Sequence, residues 1–306
     1  MARRPYTPES SLKLYEAHLE KTRSITEATR HFYRGHAKIA LNMLVAGGRE
    51  WRPWLVQKED VVWLIEEIRR KELAVATLRN YISGLTSLTL FYDNNVISKM
   101  RIRYPHDARP NVKWISDEKA RELASLRTDP MTDLIVHCEL CLGMRRVEVL
   151  RLTPESFLGD RVRIQGKGPV GGKTRFMPYH PSTSDILATY NNHRRSLIDQ
   201  AKGRSHFVEV PSDLLIYYRY GRLRAYDKVK ATAINNRVAA VGKKVGIENL
   251  ANHMMRRTFG RTMWRDGVKI ETISAMLGHD SIEQTLEYIG ANIDDMQSAM
   301  QIFSLR

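Results

Sequence analysis

The chain has 306 residues, 42% hydrophobic and 27% charged, enough for two domains that each bury a core. Its 49 Lys and Arg against 34 Asp and Glu give a formal charge of +15 and a pI near 9.8, which points to a polyanionic partner. No apolar run approaches the roughly 18 residues of a membrane span, and the opening MARRPYTPES lacks a signal-peptide core. A membrane role therefore recedes, and a cytoplasmic, DNA-associated protein is expected.

Residues 1–95 are expected to form one helical domain, and 7–95 read as helices alone. Thr7-Pro8 is an N-cap followed by proline at the first helical position, with Leu12, Tyr15 and Leu19 on one face. A second helix is expected from about Ile25 to Val45, stopping at Gly47-Gly48. A third covers about Glu59–Arg70, with Val62, Ile65 and Ile68 as its apolar positions, and a fourth covers about Val75–Tyr92. Residues 96–113 (VISKMRIRYPHDARPNVK) have two prolines, many cations and little periodicity, as a basic linker would. A second domain, 114–290, opens at Trp114, with Ser116 as an N-cap and Asp117 and Glu118 in a favourable first turn. A helix over about Thr132–Leu142 leads into Gly143-Met144-Arg145-Arg146-Val147-Glu148. The stretch RVRIQGKGPVGGKTRFMP then alternates about a Gly-rich turn and predicts a β-hairpin, with Val162 and Ile164 on one strand and Phe176 or Met177 on the other. Helical segments are expected from there to the end.

Two familiar motifs are near misses. Cys138 and Cys141 form a CxxC inside an apolar run, without the second ligand pair a zinc site needs, so they are expected to be structural thiols in a reducing compartment. The hairpin turn resembles a phosphate-binding loop, but no register of GxxxxGK[ST] fits from either Gly166 or Gly172.

NHMMRRTFGRTMWRDGVKIETISAMLGHDSIEQTLEYIG, residues 252–290, gathers reactive groups on short helices. His253 and Arg256 are three apart and share a helix face. Gly278 is placed to end the next helix, which leaves His279 on the loop after it. Ser281 and Gln284 have capping-box spacing, and Tyr288 falls in the last turn before Gly290. With Arg145 and a hairpin lysine, this set suits attack of a phenol oxygen on a DNA phosphodiester. Two guanidiniums clamp the oxygens that gain charge, histidines donate hydrogen bonds or handle the phenolic proton, and a lysine protonates the leaving 5′-oxygen. This chemistry requires no metal or other cofactor.

These motifs resemble those of the tyrosine recombinases, the phage-type integrases. The resemblance makes Arg145 the first clamp and Glu148 its acidic support. It makes Lys167 of Gly166-Lys167-Gly168 the leaving-group acid, His253 and Arg256 the H-x-x-R box, His279 the histidine of the LGH box and Tyr288 the nucleophile. It implies a mainly α fold with a small β-hairpin (α+β), in which an N-terminal four-helix core-binding domain and a catalytic domain form a C-shaped clamp on DNA. It further implies double-stranded DNA with specific recombination sites as the partner. The free protein would be a monomer or weak oligomer, and a homo-tetramer would form on synapsed DNA. Residues 291–306 would form a C-terminal helix that either packs on its own domain or is exchanged between protomers. Two departures stand out. Arg257 occupies a place where the family usually has histidine, adding a cation near the DNA backbone, and Pro169–Gly172 lengthen the hairpin turn, making Lys173 a second candidate for the acid. A type IB topoisomerase acting on one duplex and a catalytically silent DNA-binding protein are the other readings.

Overall fold

The structure is a computed structural model that describes residues 7–22, 26–104, 113–166, 173–202, 210, 212–216, 218–219, 222–223 and 229–290. The chain divides into two compact units, Met1–Pro110 and Asn111–Arg306.

The first unit contains α1 (Pro8–Lys21), α2 (Glu27–Ala46), α3 (Lys58–Arg70), α4 (Val75–Phe91) and the single turn α5 (Val96–Lys99). Thr7 caps α1 as expected, its hydroxyl accepting from the Ser10 amide at 3.1 Å. The core is formed by Tyr15, Leu41, Leu44, Leu64, Ile68, Leu85 and Leu88. The expected stripe on α3 is corrected. Val61, Leu64, Ile65 and Ile68 are buried, whereas Val62 is 39% exposed, because the i, i+3, i+4, i+7 face starts one residue earlier and turns Val62 outward. Residues 96–104 also pack on this core, Ile97 fully and Met100, Ile102 and Tyr104 in part, with the Arg79 guanidinium 5.3 Å from the Tyr104 ring centroid. Ile97 sits in the single turn α5, and Met100, Ile102 and Tyr104 then alternate along a stretch without regular structure. The rest of the basic stretch, 105–112, lies outside the described residues.

The second unit contains α6 (Asp117–Ser125), α7 (Pro130–Leu140), α8 (Arg146–Val149), β1 (Arg161–Gln165), β2 (Thr174–Pro178), α9 (Pro181–Lys202), β3 (Tyr218–Arg219), β4 (Arg222–Leu223), α10 (Ala231–Lys244), α11 (Asn252–Arg265), α12 (Ile270–Leu277) and α13 (Ile282–Ile289). Helix α7 is the hub. It is buried on every side and packs against α6, α9, α10 and α11, which is why its sequence is apolar all round rather than in one stripe. Cys138 and Cys141 are free thiols within it or at its end, and burial pushes both thiols up, Cys141 to about 11, so neither is a nucleophile at neutral pH.

Strands β1 and β2 pair antiparallel with Val162 opposite Met177 and Ile164 opposite Arg175. Met177 is the inward residue of β2, while Phe176 is 59% exposed. The expectation of helices only after this hairpin is corrected by the two-residue ladder of β3 and β4, which is too short to leave a period in the sequence. The architecture is thus mainly helical with small antiparallel sheets, as expected. Among the described residues, no helix is long and apolar enough to cross a membrane.

Candidate active site

The site is built around one carboxylate. Glu148 lies on α8, with its side chain completely buried. Its oxygens accept from the Arg145 backbone amide at 2.8 Å and the Arg145 guanidinium at 2.9 Å. They also accept two parallel bonds from Arg175, each at 2.9 Å, and lie 3.6 Å from Arg256 Nη1. Burial alone would raise the pKa of this carboxyl. The hydrogen bonds and charge of Arg175, with the Arg145 amide and the Arg256 charge, outweigh burial and hold it down to about 2. Glu148 is therefore ionised at any working pH and locates three guanidiniums at once.

Arg145 owes its position to the turn before it. Gly143 has φ +56°, and a Cβ there would meet the Phe259 ring at 2.4 Å, so this left-handed close approach requires glycine. The Arg145 guanidinium donates further bonds to the carbonyls of Leu277 at 3.2 Å and Gly278 at 3.3 Å, at the end of α12. Gly278 caps that helix with φ +62°, the left-handed geometry expected of it, and leaves His279 outside the helix.

Arg256 is almost wholly buried on α11 and donates to the carbonyls of Gly143 and Leu277. Its Nη2 also lies 3.3 Å from His279 Nε2. Guanidinium nitrogens only donate, so Nε2 accepts and the imidazole proton sits on Nδ1, which donates to Thr285 Oγ1 at 3.0 Å. Burial and the surrounding arginines push His279 down to about 4, consistent with a neutral ring. Burial and Arg145 lower Arg256 to about 10, which still leaves it charged at neutrality.

Tyr288 is half-buried in the last turn of α13. Ser281 caps this helix through the Gln284 amide at 3.1 Å. The expected reciprocal bond is redirected, since Gln284 Oε1 accepts from the Asp280 amide instead. The Tyr288 hydroxyl donates to the His253 carbonyl at 3.4 Å and lies 3.5 Å from His253 Nδ1. Its ring stands edge-to-face with His279 at 5.0 Å between centroids. The guanidiniums of Arg256 and Arg257 lie 5.7 Å and 5.2 Å from its centroid. Burial raises the phenol pKa, opposed by Arg256, Arg257 and Arg145. Desolvation of the His253 ring, then Arg257, Arg256, Arg146 and Arg145, holds that imidazole below its usual range. His253 itself stands in the first turn of α11, and the residue before it, Asn252, donates to the buried Glu139 at 2.9 Å.

Arg145, Glu148, His253, Arg256, His279 and Tyr288 therefore converge, although they come from the α7–α8 turn, α8, α11, the α12–α13 loop and α13. Lys167 lies outside the described residues. Gly166, just before it, closes the ladder through its amide to the Lys173 carbonyl at 2.9 Å, and a Cβ on it would stand 4.0 Å from Glu148 Oε1. Lys173 is 85% exposed and paired with Asp280, beside His279.

Arg175 is the member of this cluster that sequence reasoning misses. Its only signal is a cation next to the apolar positions of β2, facing a Glu148 that needs more than one partner. Tyr190, another tyrosine of the catalytic unit, is completely buried. Its hydroxyl donates to the Leu214 carbonyl at 2.9 Å and accepts from the Ile216 amide at 3.1 Å, and burial pushes its pKa to about 12, as for a structural phenol. The site offers a nucleophilic oxygen beside a neutral imidazole and at least three fixed guanidiniums, a set suited to in-line displacement at a phosphate.

The family model that matches this chain, over residues 112–294, is that of the phage integrase family. Similar proteins include the tyrosine recombinase XerA of Saccharolobus solfataricus, 24% identical over 233 residues, with 76% of this chain and 69% of that protein covered. The tyrosine recombinase XerC of Roseiflexus sp. is 23% identical over 296 residues, with 90% and 87% covered. In fold, the chain is similar to the XerH site-specific recombinase crystallised on a palindromic difH substrate as a post-cleavage complex. The TM-score is 0.68 at 14% identity, with 97% of this chain and 85% of that one covered.

Proposed function

This chain belongs to the phage integrase family, the tyrosine recombinases that cleave and rejoin DNA at specific sites, and we propose that it does so with Tyr288 as nucleophile. The observation that carries this assignment is the convergence of Tyr288 with Arg145, Arg256, His253 and His279 around the single carboxylate of Glu148.

In this reading, the Tyr288 oxygen attacks a backbone phosphorus and the bond to the 5′-oxygen breaks, leaving a 3′-phosphotyrosyl link. The phenolic proton passes to the neutral imidazole of His253, whose Nδ1 is already 3.5 Å from it. Arg145 and Arg256 bind the non-bridging oxygens as charge develops, and they incur little reorganisation because Glu148, backbone carbonyls and His279 already fix them. Lys167 gives its proton to the departing 5′-oxygen. Rejoining is the reverse, with a 5′-hydroxyl attacking the phosphotyrosyl link. The partner is duplex DNA carrying specific recombination sites, consistent with a charge of +15. A homo-tetramer forms on synapsed DNA, and residues 291–306, which lie outside the described residues, link one protomer to its neighbour. Residues 1–95 bind the core of the site and 114–290 carry the chemistry. No feature of the site favours single-duplex relaxation or silent DNA binding.

The test is a suicide DNA substrate whose cleaved strand diffuses away and traps the covalent complex. Wild-type protein should become linked to a 3′-phosphate through Tyr288, identified by mass spectrometry of the tryptic peptide, and Tyr288→Phe should form no adduct while still binding DNA. An adduct on Tyr288→Phe sinks the assignment.

A further inference from the structure

Arg257 is where the H-x-x-R box departs from the histidine its resemblance leads one to expect. On α11, His253, Arg256 and Arg257 stand at i, i+3 and i+4, so all three fall on one face. Tyr288 lies on that face, its hydroxyl at His253 and its ring under both guanidiniums. The two arginines are not equivalent. Arg256 is committed to the carbonyls of Gly143 and Leu277 and to His279. Arg257 is half-buried, its Nε is shielded from solvent without a hydrogen-bond partner, and among the described residues no carboxylate pairs with it. Its nearest aromatic contact is the Tyr288 ring, 5.2 Å from the guanidinium carbon, closer than Arg256.

A cation over an aromatic face is attracted to the ring, and the attraction grows when the ring oxygen carries a full negative charge. Three features oppose ionisation of Tyr288. They are its partial burial, the bond its hydroxyl donates to the His253 carbonyl, and the lack of a readily charged imidazole, since desolvation and then neighbouring arginines lower both His253 and His279. Favouring the anion are Arg145, Arg256 and Arg257, of which only Arg257 has no fixed role elsewhere in the described site. We propose that Arg257 is a positioning residue for the reaction. Its guanidinium, stacked on the Tyr288 ring, stabilises the phenolate form, and so sets how readily Tyr288 attacks rather than how tightly DNA is held. This rests on Tyr288 being the nucleophile.

The test uses the full chain with Arg257→Gln and Arg257→His, the latter substituting a planar group that is largely uncharged above neutral pH. Tyrosine labelled with ¹³C at Cζ reports the ionisation of Tyr288 directly, its signal assigned by Tyr288→Phe. Single-turnover adduct formation at saturating DNA is followed between pH 6 and 9.5, and DNA affinity is measured separately. Both variants should raise the phenol titration and slow adduct formation at neutral pH by roughly ten-fold, the order of a partly desolvated cation–π contact. The deficit should hold near ten-fold across this range, which lies below the raised titration of the phenol, with affinity changed by less than about two-fold. An unmoved phenol titration with the rate loss still present would reduce Arg257 to packing and overturn the proposal. So would a lost affinity with an unchanged rate at saturation, which would make it a phosphate contact. If Tyr288→Phe still forms the adduct, the nucleophile assignment fails, and the NMR titration still reports separately on whether Arg257 governs that phenol.

Discussion

Replacing Glu148 by Gln keeps the shape of the side chain and removes the charge that three arginines share. The carboxyl is held at about 2 instead of its usual 4.5. At 1.36 kcal/mol for each pKa unit, that difference corresponds to about 3 kcal/mol of native-state stability from the ionised group. The folded pKa is depressed, so this stability is fully present above about pH 4.5 and drains away as pH falls towards 2. Geometry leads to a similar magnitude. A glutamine amide can accept from one arginine, but its NH₂ then faces the Arg175 guanidinium that donated at 2.9 Å, and Arg256 loses its counter-charge at 3.6 Å. Breaking a buried ion cluster from one side costs about 3–5 kcal/mol. We therefore expect Glu148→Gln to destabilise the second unit by about 3 kcal/mol at pH 7. The penalty should shrink to about 1 kcal/mol at pH 3, where the carboxyl of the unfolded wild-type chain is already protonated while the native one is still mostly ionised. Denaturant-dependent hydrogen exchange of the α11 peptide measures this in the correct unit, which tryptophan fluorescence would not, since both units contain tryptophan. A penalty under about 1 kcal/mol at pH 7, or one that does not shrink with acid, would refute the idea that Glu148 is the charged keystone.

Three further outcomes are expected. Lys167→Ala should slow cleavage far more than binding and be rescued by a substrate with a 5′-bridging sulfur, which needs no protonated leaving group. Lys173→Ala, which removes an exposed pair with Asp280, should have little effect, and the opposite pattern would hand the acid's role to Lys173. Burial lowers His137, on α7, and His279 to about 4 when folded, so the unfolded chain binds their protons first. Stability should then fall as pH drops from about 6.5 towards 4, and neither ring should titrate by NMR above about pH 5. Deleting residues 292–306 should leave single-site binding intact while impairing recombination of two sites, and a truncated protein that recombines as well as the full chain would remove the exchange of that segment.

Local chemistry makes much of this protein legible in the amino-acid sequence by itself. The Thr7 cap, the left-handed ends at Gly278 and Gly290 and the Ser281 cap depend on neighbours within a few residues, so the spacing of those residues is enough to place His279 on a loop and Tyr288 in a final turn. The residue types of the site are legible for the same reason, since phosphate chemistry asks for guanidiniums, imidazoles and a phenol. The partners they choose are not. That Glu148 gathers Arg175 as well as Arg145 depends on β2 meeting α8, and Arg256 takes its position from carbonyls at Gly143 and Leu277, far from it in sequence. Whether Met177 or Phe176 points inward, why Val62 faces out, and which ring Arg257 covers are likewise outcomes of one element packing on another. A residue's chemistry and its local turn are written in the chain around it, whereas its contacts across space are set only when buried faces compete for the same core.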